Sequence, residues 1–399
     1  FWIGAFVTVI VTGVYTILGG FRAVLYTDSI QALLLIIGSL SITLIGLDAL
    51  GGWNELVIIA SERSNELALW RPLIIEGSDL PWWKNNDFPW LGIMIASPII
   101  GIWYWCTDQY IVQRTLAAKN LTMARRGAIW GSFLKVWPVL IFLLPGIIGW
   151  ALHQQQIISI PTKSGSIEGL LNIDGDQVFA SMVIQLLPVG LRGLVVGGLL
   201  AALMSSLSSL FNSCATLFTV DIYEKLVAKK SEKHLVRVGR FATSIIVFFG
   251  LLWIPIMYRV ADGGIYQYLQ SVQGYLAPPI ASVFLLGLFY KRINSVGAIA
   301  GLISGFTLGM AKLIIQVNFS SIDNSKLSSP EWLASIGDFS FLYATGALFL
   351  ISSIIIILFS FLTKAQSDKS IHGLTYGSID KDEISGSVEP IDRYLTAIT

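Results

Sequence analysis

Long apolar runs separated by polar breaks recur along nearly the whole chain. A helix needs about 20 predominantly apolar residues to cross a bilayer. About nine stretches approach or exceed that length, roughly 2–20, 25–49, 90–113, 128–152, 187–222, 238–260, 266–290, 295–317 and 340–363. Glycines and prolines lie inside several of them, as membrane helices tolerate. The pair Pro278-Pro279 predicts a break or kink in the stretch that holds it. The pattern ends after residue 363. The last segment, KAQSDKSIHGLTYGSIDKDEISGSVEPIDRYLTAIT, is polar and rich in Ser, Gly and Asp, and reads as a flexible cytoplasmic tail. The chain thus divides into a membrane domain over 1–363 and a tail over 364–399. The connection 153–186 is long and has room for short helices over the mouth of a cavity.

Composition agrees with the pattern. Hydrophobic residues make up 54% of the 399 and charged residues 13%, where a soluble domain carries about 25% charged. Mean hydropathy is +0.71. The reading is an integral, multi-pass membrane protein, expected in the cell (inner) membrane. Basic residues gather in alternate connections: near Arg22, in 114–127 (Arg114, Lys119, Arg125, Arg126), in 223–240 and at Lys291-Arg292. Such connections face the cytoplasm, which places the tail inside. A net charge of +1 gives no reason to expect nucleic acid. Cys106 and Cys214 sit in apolar segments, and His153, His234 and His372 form no cluster, so neither a disulfide framework, a zinc site nor a catalytic centre is indicated. The chain opens inside a hydrophobic stretch without Met and is read as a fragment lacking N-terminal helices.

The chemistry concentrates in the stretch LLPVGLRGLVVGGLLAALMSSLSSLFNSCATLFTVDIY. Ser205, Ser208, Ser209 and Asn212 stand at i, i+3, i+4 and i+7 and share one helix face. Polar oxygens in hydrocarbon cost free energy unless satisfied. Two readings stay open from the residues alone: hydrogen bonds to their own or a neighbouring helix, or a buried site for a monovalent cation such as sodium. Charges at membrane depth are functional candidates by default. Lys135, next to Pro138, either snorkels to the interface or meets a buried partner or substrate. Asp28 is a helix cap or a ligand. Asp108 calls for a partner, and Lys312 is expected to snorkel outward. Trp103, Tyr104 and Trp105 point around a helix. Gln270 offers an amide in an apolar span, with Tyr266 one turn earlier on the same face; rings and amides together suit a sugar.

The segments GGFRAVLYTDSIQ, IWYWCTDQYIVQRTLAAKN, FLKVWPVLIFLLPG, AALMSSLSSLFNSCATLFTVDIY and YLQSVQGYLAPPIASVFLLGLFYKR resemble the sodium/solute symporter family, most closely its sodium/glucose branch. The resemblance implies an all-α membrane protein with part of a leucine-transporter-like, inverted-repeat bundle, entered at the fourth core helix. It implies a sodium site at Ala202 (through its carbonyl), Ser205 and Ser206, and a second sodium site at Asp28, Ser208 and Ser209. It implies solute contacts at Tyr104, Trp105, Lys135 and Gln270, with Tyr104 and Tyr266 as inner and outer gates. Gly101 falls where some bacterial members have a sugar-binding Asn. The function implied is sodium-driven symport of a hexose such as glucose or galactose by alternating access, not an enzyme, with sodium as coupling ion and no other cofactor. The expected partners are sodium, a sugar or polyol, and the lipid bilayer. Other readings are a sodium symporter for myo-inositol, a sialic acid or an amino acid, and a non-transporting sensor domain.

Overall fold

The computed structural model describes residues 2–62, 68, 70–74, 79–137, 139–161, 173–227, 231–260, 265–320 and 330–378; residues 19–28, 139, 256–260, 265–268, 368 and 377 are described by backbone alone. The described helices are α1 (Trp2–Leu50), α2 (Trp53–Ser61), α3 (Trp90–Ile102), α4 (Gln109–Leu116), α5 (Leu121–Leu134), α6 (Leu144–Gln154), α7 (Val178–Leu186), α8 (Val189–Thr216), α9 (Glu224–Leu226), α10 (Glu232–Val260), α11 (Ile265–Phe289), α12 (Ser295–Phe319), α13 (Glu331–Asp338), α14 (Phe341–Leu362) and α15 (Asp368–Ile371). Seven segments among the described residues are long and apolar enough to cross a membrane, and two shorter apolar helices, Trp2–Leu18 and Leu140–Gln154, bring the total to the nine expected stretches. Leu44, Ile303, Ile354 and Phe361 point outward at 63–66% exposure. An apolar shell of that kind is what lipid contact requires.

The helices fall into two compact units, Phe1–Leu67 with Ile129–Met257, and Ala68–Ala128 with Tyr258–Thr399. In the first, α1 lies along α8, with α6 and α7 against α1. Ile42, Ile148, Leu152, Met182 and Val195 form its core. The helical assignment of α1 continues for 49 residues. Yet Gly38 packs on Val195 and Gly198 on Leu34, while the Tyr15 phenol reaches the Met204 carbonyl. A straight helix, rising about 1.5 Å per residue, would leave Tyr15 about 20 Å away, so α1 reverses direction between Leu18 and Ser29, as the turn expected near Arg22 requires.

The stretch expected as one helix over 128–152 is divided. Helix α5 ends at Leu134, and Lys135, Val136 and Trp137 form a tight turn, their N–H groups bonding three residues back to Ser132, Phe133 and Leu134. A π-helical turn over Val139–Leu143 then leads into α6. Pro138 explains the break, since proline disfavours helix in the residue before it and removes a donor.

The second unit packs α11, α12 and α14 together with α3 against α11 and α14; Tyr275, Phe341, Ala96 and Leu348 lie at its centre. Helix α11 runs through Pro278 and Pro279 without the predicted break. Pro278 leaves the carbonyl of Gly274 without its helical donor, and the Thr345 hydroxyl supplies one at 3.0 Å. Pro279 frees the carbonyl of Tyr275, which lies against Gly309 so closely that a Cβ there would stand 2.3 Å from it. Neighbouring helices absorb the defect, as membrane bundles allow.

The first part of the polar tail is folded. Asn294 donates to the Thr363 hydroxyl at 2.7 Å and the Lys364 carbonyl at 3.0 Å, and Ile371 and Thr375 are buried. Among the longer connections, 153–186 contains α7, a short helix for which it has room, and α13 occupies part of 318–339.

Candidate functional site

Helix α8 carries the stripe of oxygens. Ser208 and Ser209 are fully buried, Ala202, Ser205 and Asn212 are half-buried, and Ser206 is exposed. The flanking Leu203 and Leu210 face outward, which confirms that one face of the helix looks into the unit. Part of the stripe bonds locally: the Ser208 hydroxyl donates to the Ser205 carbonyl at 2.9 Å, Ser213 to Ser209 at 2.7 Å and Thr216 to Asn212 at 2.8 Å. These bonds use each hydroxyl's hydrogen and leave its oxygen lone pairs available to a cation. The phenol of Tyr15 donates to the Met204 carbonyl at 3.0 Å, tying α1 to α8 beside Ser205. No Asp, Glu, Lys or Arg lies between Gly193 and Val220, so α8 itself offers an ion only neutral oxygens. Asp28 belongs to α1, but its side chain lies outside the described residues, as does that of Tyr266. Gln31, in the same helix, is a polar residue in an apolar stretch, and its amide oxygen is buried with no hydrogen-bond partner.

In the second unit α3 passes into a π-helical turn over Trp103–Thr107. The Asp108 N–H donates to the Trp103 carbonyl five residues back at 3.0 Å, and the Thr107 hydroxyl donates to the same carbonyl at 2.7 Å. Single π turns are frequent at functional positions; this one presents three aromatics at altered angles. The Tyr104 ring meets Trp105 edge-on at 5.4 Å. Tyr104 is half-buried and Trp105 is 45% exposed. The turn packs against α11, the helix that bears the half-buried Gln270. Tyr104, Trp105 and the Gln270 helix are therefore brought together in one unit. Lys135 belongs to the other, where it is exposed in the turn after α5. A Cβ on Gly101 would meet nothing within 4 Å.

Asp108 has the partner it calls for: it is the N-cap of α4, accepting from the Tyr110 N–H at 3.0 Å, a bond that satisfies one of the orphan donors of a helix start. Lys312 does not snorkel. It is 8% exposed, donates to the Gly337 carbonyl at 3.0 Å and stands 5.3 Å over the Tyr275 ring. Nearby, Asp338 takes Lys84 at 3.0 Å and Ser320 at 2.9 Å. These partners lie 18 to 254 residues apart in sequence, so single-sequence periodicity cannot disclose them.

The profile of the sodium:solute symporter family matches residues 2–305. The chain is 35% identical over 387 residues to sodium/glucose cotransporter 4 of Mus musculus, covering 94% of this chain and 55% of that protein. It is 37% identical over 372 residues to sodium/myo-inositol cotransporter 2 of Homo sapiens, covering 92% and 55%. With sodium/glucose cotransporter 1 of Ovis aries it shares 34% over 390 residues, covering 94% and 58%. The chain therefore spans about half the length of these relatives. Among solved structures, a Na+-coupled sialic acid symporter in a substrate-bound, outward-open state superposes with a TM-score of 0.63 at 20% identity, covering 90% of this chain and 66% of that one. That likeness establishes the fold, an all-helical, leucine-transporter-like membrane bundle.

Proposed function

The chain belongs to the sodium:solute symporter family, and from that premise we propose that it forms most of the transport domain of a sodium-driven sugar symporter, with a hexose such as glucose or galactose as cargo. The observation that supports this reading best is the α8 stripe: buried or half-buried neutral oxygens at Ser205, Ser208, Ser209 and Asn212 on one face, in a stretch without charge. A divalent ion is poorly served by such a set, because it draws carboxylates. A monovalent ion that must bind and leave in every cycle is well served.

In this reading the Ala202 carbonyl with Ser205 and Ser206 holds one sodium ion, and Asp28 with Ser208 and Ser209 holds a second. Gln270 and Lys135 bond sugar hydroxyls, Trp105 lines the site, Tyr104 stacks on the ring as inner gate, and Tyr266 closes it from outside. Each ligand favours the conformation that the other binds better, which is all that coupling requires. Each sodium charge crossing 100 mV adds about 2.3 kcal/mol to the drive. Myo-inositol is the second reading, favoured by the 37% identity to a sodium/myo-inositol cotransporter; it is a ring polyol that the same amide and aromatic faces suit.

The experiment is counterflow and reversal-potential measurement on the full-length protein in proteoliposomes. Glucose or galactose should exchange in a sodium-dependent way, with two sodium ions per sugar. A ratio of one removes the Asp28 set, exchange of myo-inositol alone replaces the cargo, and uptake indifferent to sodium ends the proposal.

A further inference from the structure

A cavity of about 380 Å³ opens in the first unit between α1, the end of α8 and the start of α10. From α10 come Leu235, Val236, Gly239, Arg240 and Thr243, which at i, i+1, i+4, i+5 and i+8 share one helix face. Three apolar lining residues, Leu18, Val220 and Val236, are exposed, so one edge of the cavity meets the surroundings as hydrocarbon. Arg240 is exposed beside them. No Asp or Glu lines the cavity, and among the described residues the Arg240 guanidinium has no hydrogen-bond or ion-pair partner. The connection 223–240 carries six basic residues and two acidic ones, and such connections face the cytoplasm.

Thr219 adds a second, independent observation. It lines the cavity from a π-helical turn over Leu217–Tyr223. It is 6% exposed, and its hydroxyl oxygen is buried with no hydrogen-bond partner. Thr16, Thr216 and Thr243 line the same cavity, and each donates to a carbonyl four residues back, at 2.7, 2.8 and 2.9 Å. The π turn takes Thr219 out of that four-residue register. Its hydroxyl faces α10 instead, where a Cβ on Gly239 would stand 3.5 Å from it. A buried polar group without a partner calls for an explanation.

We propose that this cavity holds the headgroup of an anionic phospholipid from the cytoplasmic leaflet. Arg240 meets the phosphate with its planar fork of donors. The Thr219 hydroxyl, on a change of rotamer, donates to a phosphate or ester oxygen. The acyl chains leave over Leu18, Val220 and Val236 into the bilayer. Charge complementarity selects the headgroup, since basic pockets at cytoplasmic helix ends suit anionic lipids. The exposed apolar edge selects a lipid over a free phosphate ion, to which that edge offers nothing. A lipid seated there ties α1, α8 and α10 together at one end of the helix that carries the serine stripe. The assignment does not depend on which ion or cargo the protein carries.

The test uses the full-length protein in detergent, freed of phospholipid as checked by phosphorus assay. Tm is followed against dioctanoyl phosphatidylglycerol, dioctanoyl phosphatidylcholine and inorganic phosphate, in wild type, Arg240→Gln, Thr219→Val and Arg237→Gln. A ligand of the folded state raises Tm according to its concentration relative to Kd. In wild type the anionic lipid should reach half its maximal shift at a concentration at least about tenfold below the neutral lipid's, and phosphate should give no shift. Arg240→Gln should raise the anionic-lipid midpoint about tenfold. Thr219→Val keeps the shape and removes the hydroxyl; it should raise that midpoint severalfold without lowering Tm in the absence of lipid, because an unpaired polar group is gone. Arg237 does not line the cavity, and Arg237→Gln should leave the midpoint within about twofold. Equal midpoints for the two lipids overturn the proposal. So does an Arg237→Gln effect as large as that of Arg240→Gln, which is diffuse attraction to the basic connection. Stabilisation by phosphate at lower concentrations than by lipid gives the cavity to a free ion and overturns the lipid. No saturable shift with any of the three means that another part of the full-length chain fills the cavity, and overturns the proposal as well. Should Thr219→Val fail to fold, the comparison of Arg240→Gln with Arg237→Gln decides by itself.

Discussion

The α8 stripe and the cluster around Asp338 both place polar groups among apolar helices, and they satisfy them in opposite ways. In the cluster, each charge is bonded across elements distant in sequence: Lys84 and Ser320 take the two oxygens of Asp338, and Lys312 reaches the Gly337 carbonyl and Gln316. Gln316 in turn accepts from the Tyr275 phenol. On α8, the hydroxyls of Ser208, Ser213 and Thr216 donate only to carbonyls three or four residues back in the same helix, and across the helix contact the Gln31 oxygen has no partner. Long-range pairing fixes one arrangement, because removing any member strands another in low dielectric. Local back-bonding leaves lone pairs exposed to whatever enters. On the sodium reading proposed above, a site that must load and unload an ion is built in the second style, and a joint that must not move is built in the first.

The largest expected effect breaks the joint. Asp338 is 1% exposed and Lys84 22% by side chain. Truncating the carboxylate strands a half-buried ammonium and the Ser320 hydroxyl. Asp338→Ala should therefore lose about 3 kcal/mol of stability, the lower end of the range for breaking a buried ion pair because Lys84 keeps some solvent. Thermal unfolding in detergent reads it. The sodium midpoint of the surviving protein should be unchanged. A normal Tm with an altered sodium response would erase the distinction between the two regions.

The contrast also explains what is legible in the sequence. Nine apolar stretches follow from length and hydropathy alone, and the shared face of Ser205, Ser208, Ser209 and Asn212 follows from helical period; both are local properties. The family and its fold are legible in segments such as WYWCTDQ and AALMSSLSS. The tertiary answers are not. That Pro278 and Pro279 leave α11 intact depends on Gly309 and on Thr345, which lies 71 residues from the Gly274 carbonyl it serves. Whether Lys312 snorkels depends on the Gly337 carbonyl. Asp108 was legible as a cap only if the π turn before it was known, because an unbroken helix would have buried it mid-span.

A middle-sized effect tests the second style of construction. Ser205→Ala and Ser206→Ala each remove a neutral oxygen assigned to the first sodium ion. Each should raise the sodium concentration needed for half-maximal uptake by about tenfold, equivalent to about 1.4 kcal/mol. Tm without sodium should move little, since exchanging a hydroxyl for a methyl hydrogen at a half-buried or exposed position usually changes stability by about 0.5 kcal/mol or less. The pattern is the mirror of Asp338→Ala: a binding change without a folding change. Uptake with an unaltered salt requirement in both variants would remove the ion from α8.

The smallest effect is the sharpest control, because it separates position from chemistry. Ser213 is 3% exposed, and its hydroxyl donates to the Ser209 carbonyl at 2.7 Å. It is as buried as Ser208 and bonds in the same local way, yet it stands two turns beyond Ser205 and is assigned to neither sodium ion. Its hydroxyl adds a second donor to a carbonyl that the helical ladder already serves, so removing it leaves no orphan acceptor, and such back-bonds tend if anything to destabilise a helix slightly. Ser213→Ala should change stability by no more than about 0.5 kcal/mol in either direction and leave the sodium midpoint where it was. If it weakened sodium as Ser205→Ala is expected to, the effect would belong to hydroxyls anywhere along α8, and the assignment of ions to particular oxygens would fail while the stripe itself remained. If Ser213→Ala is silent and Ser205→Ala is not, two serines of one helix differ only in which oxygen faces the ion, and the level of Ala202 to Ser205 is where it sits.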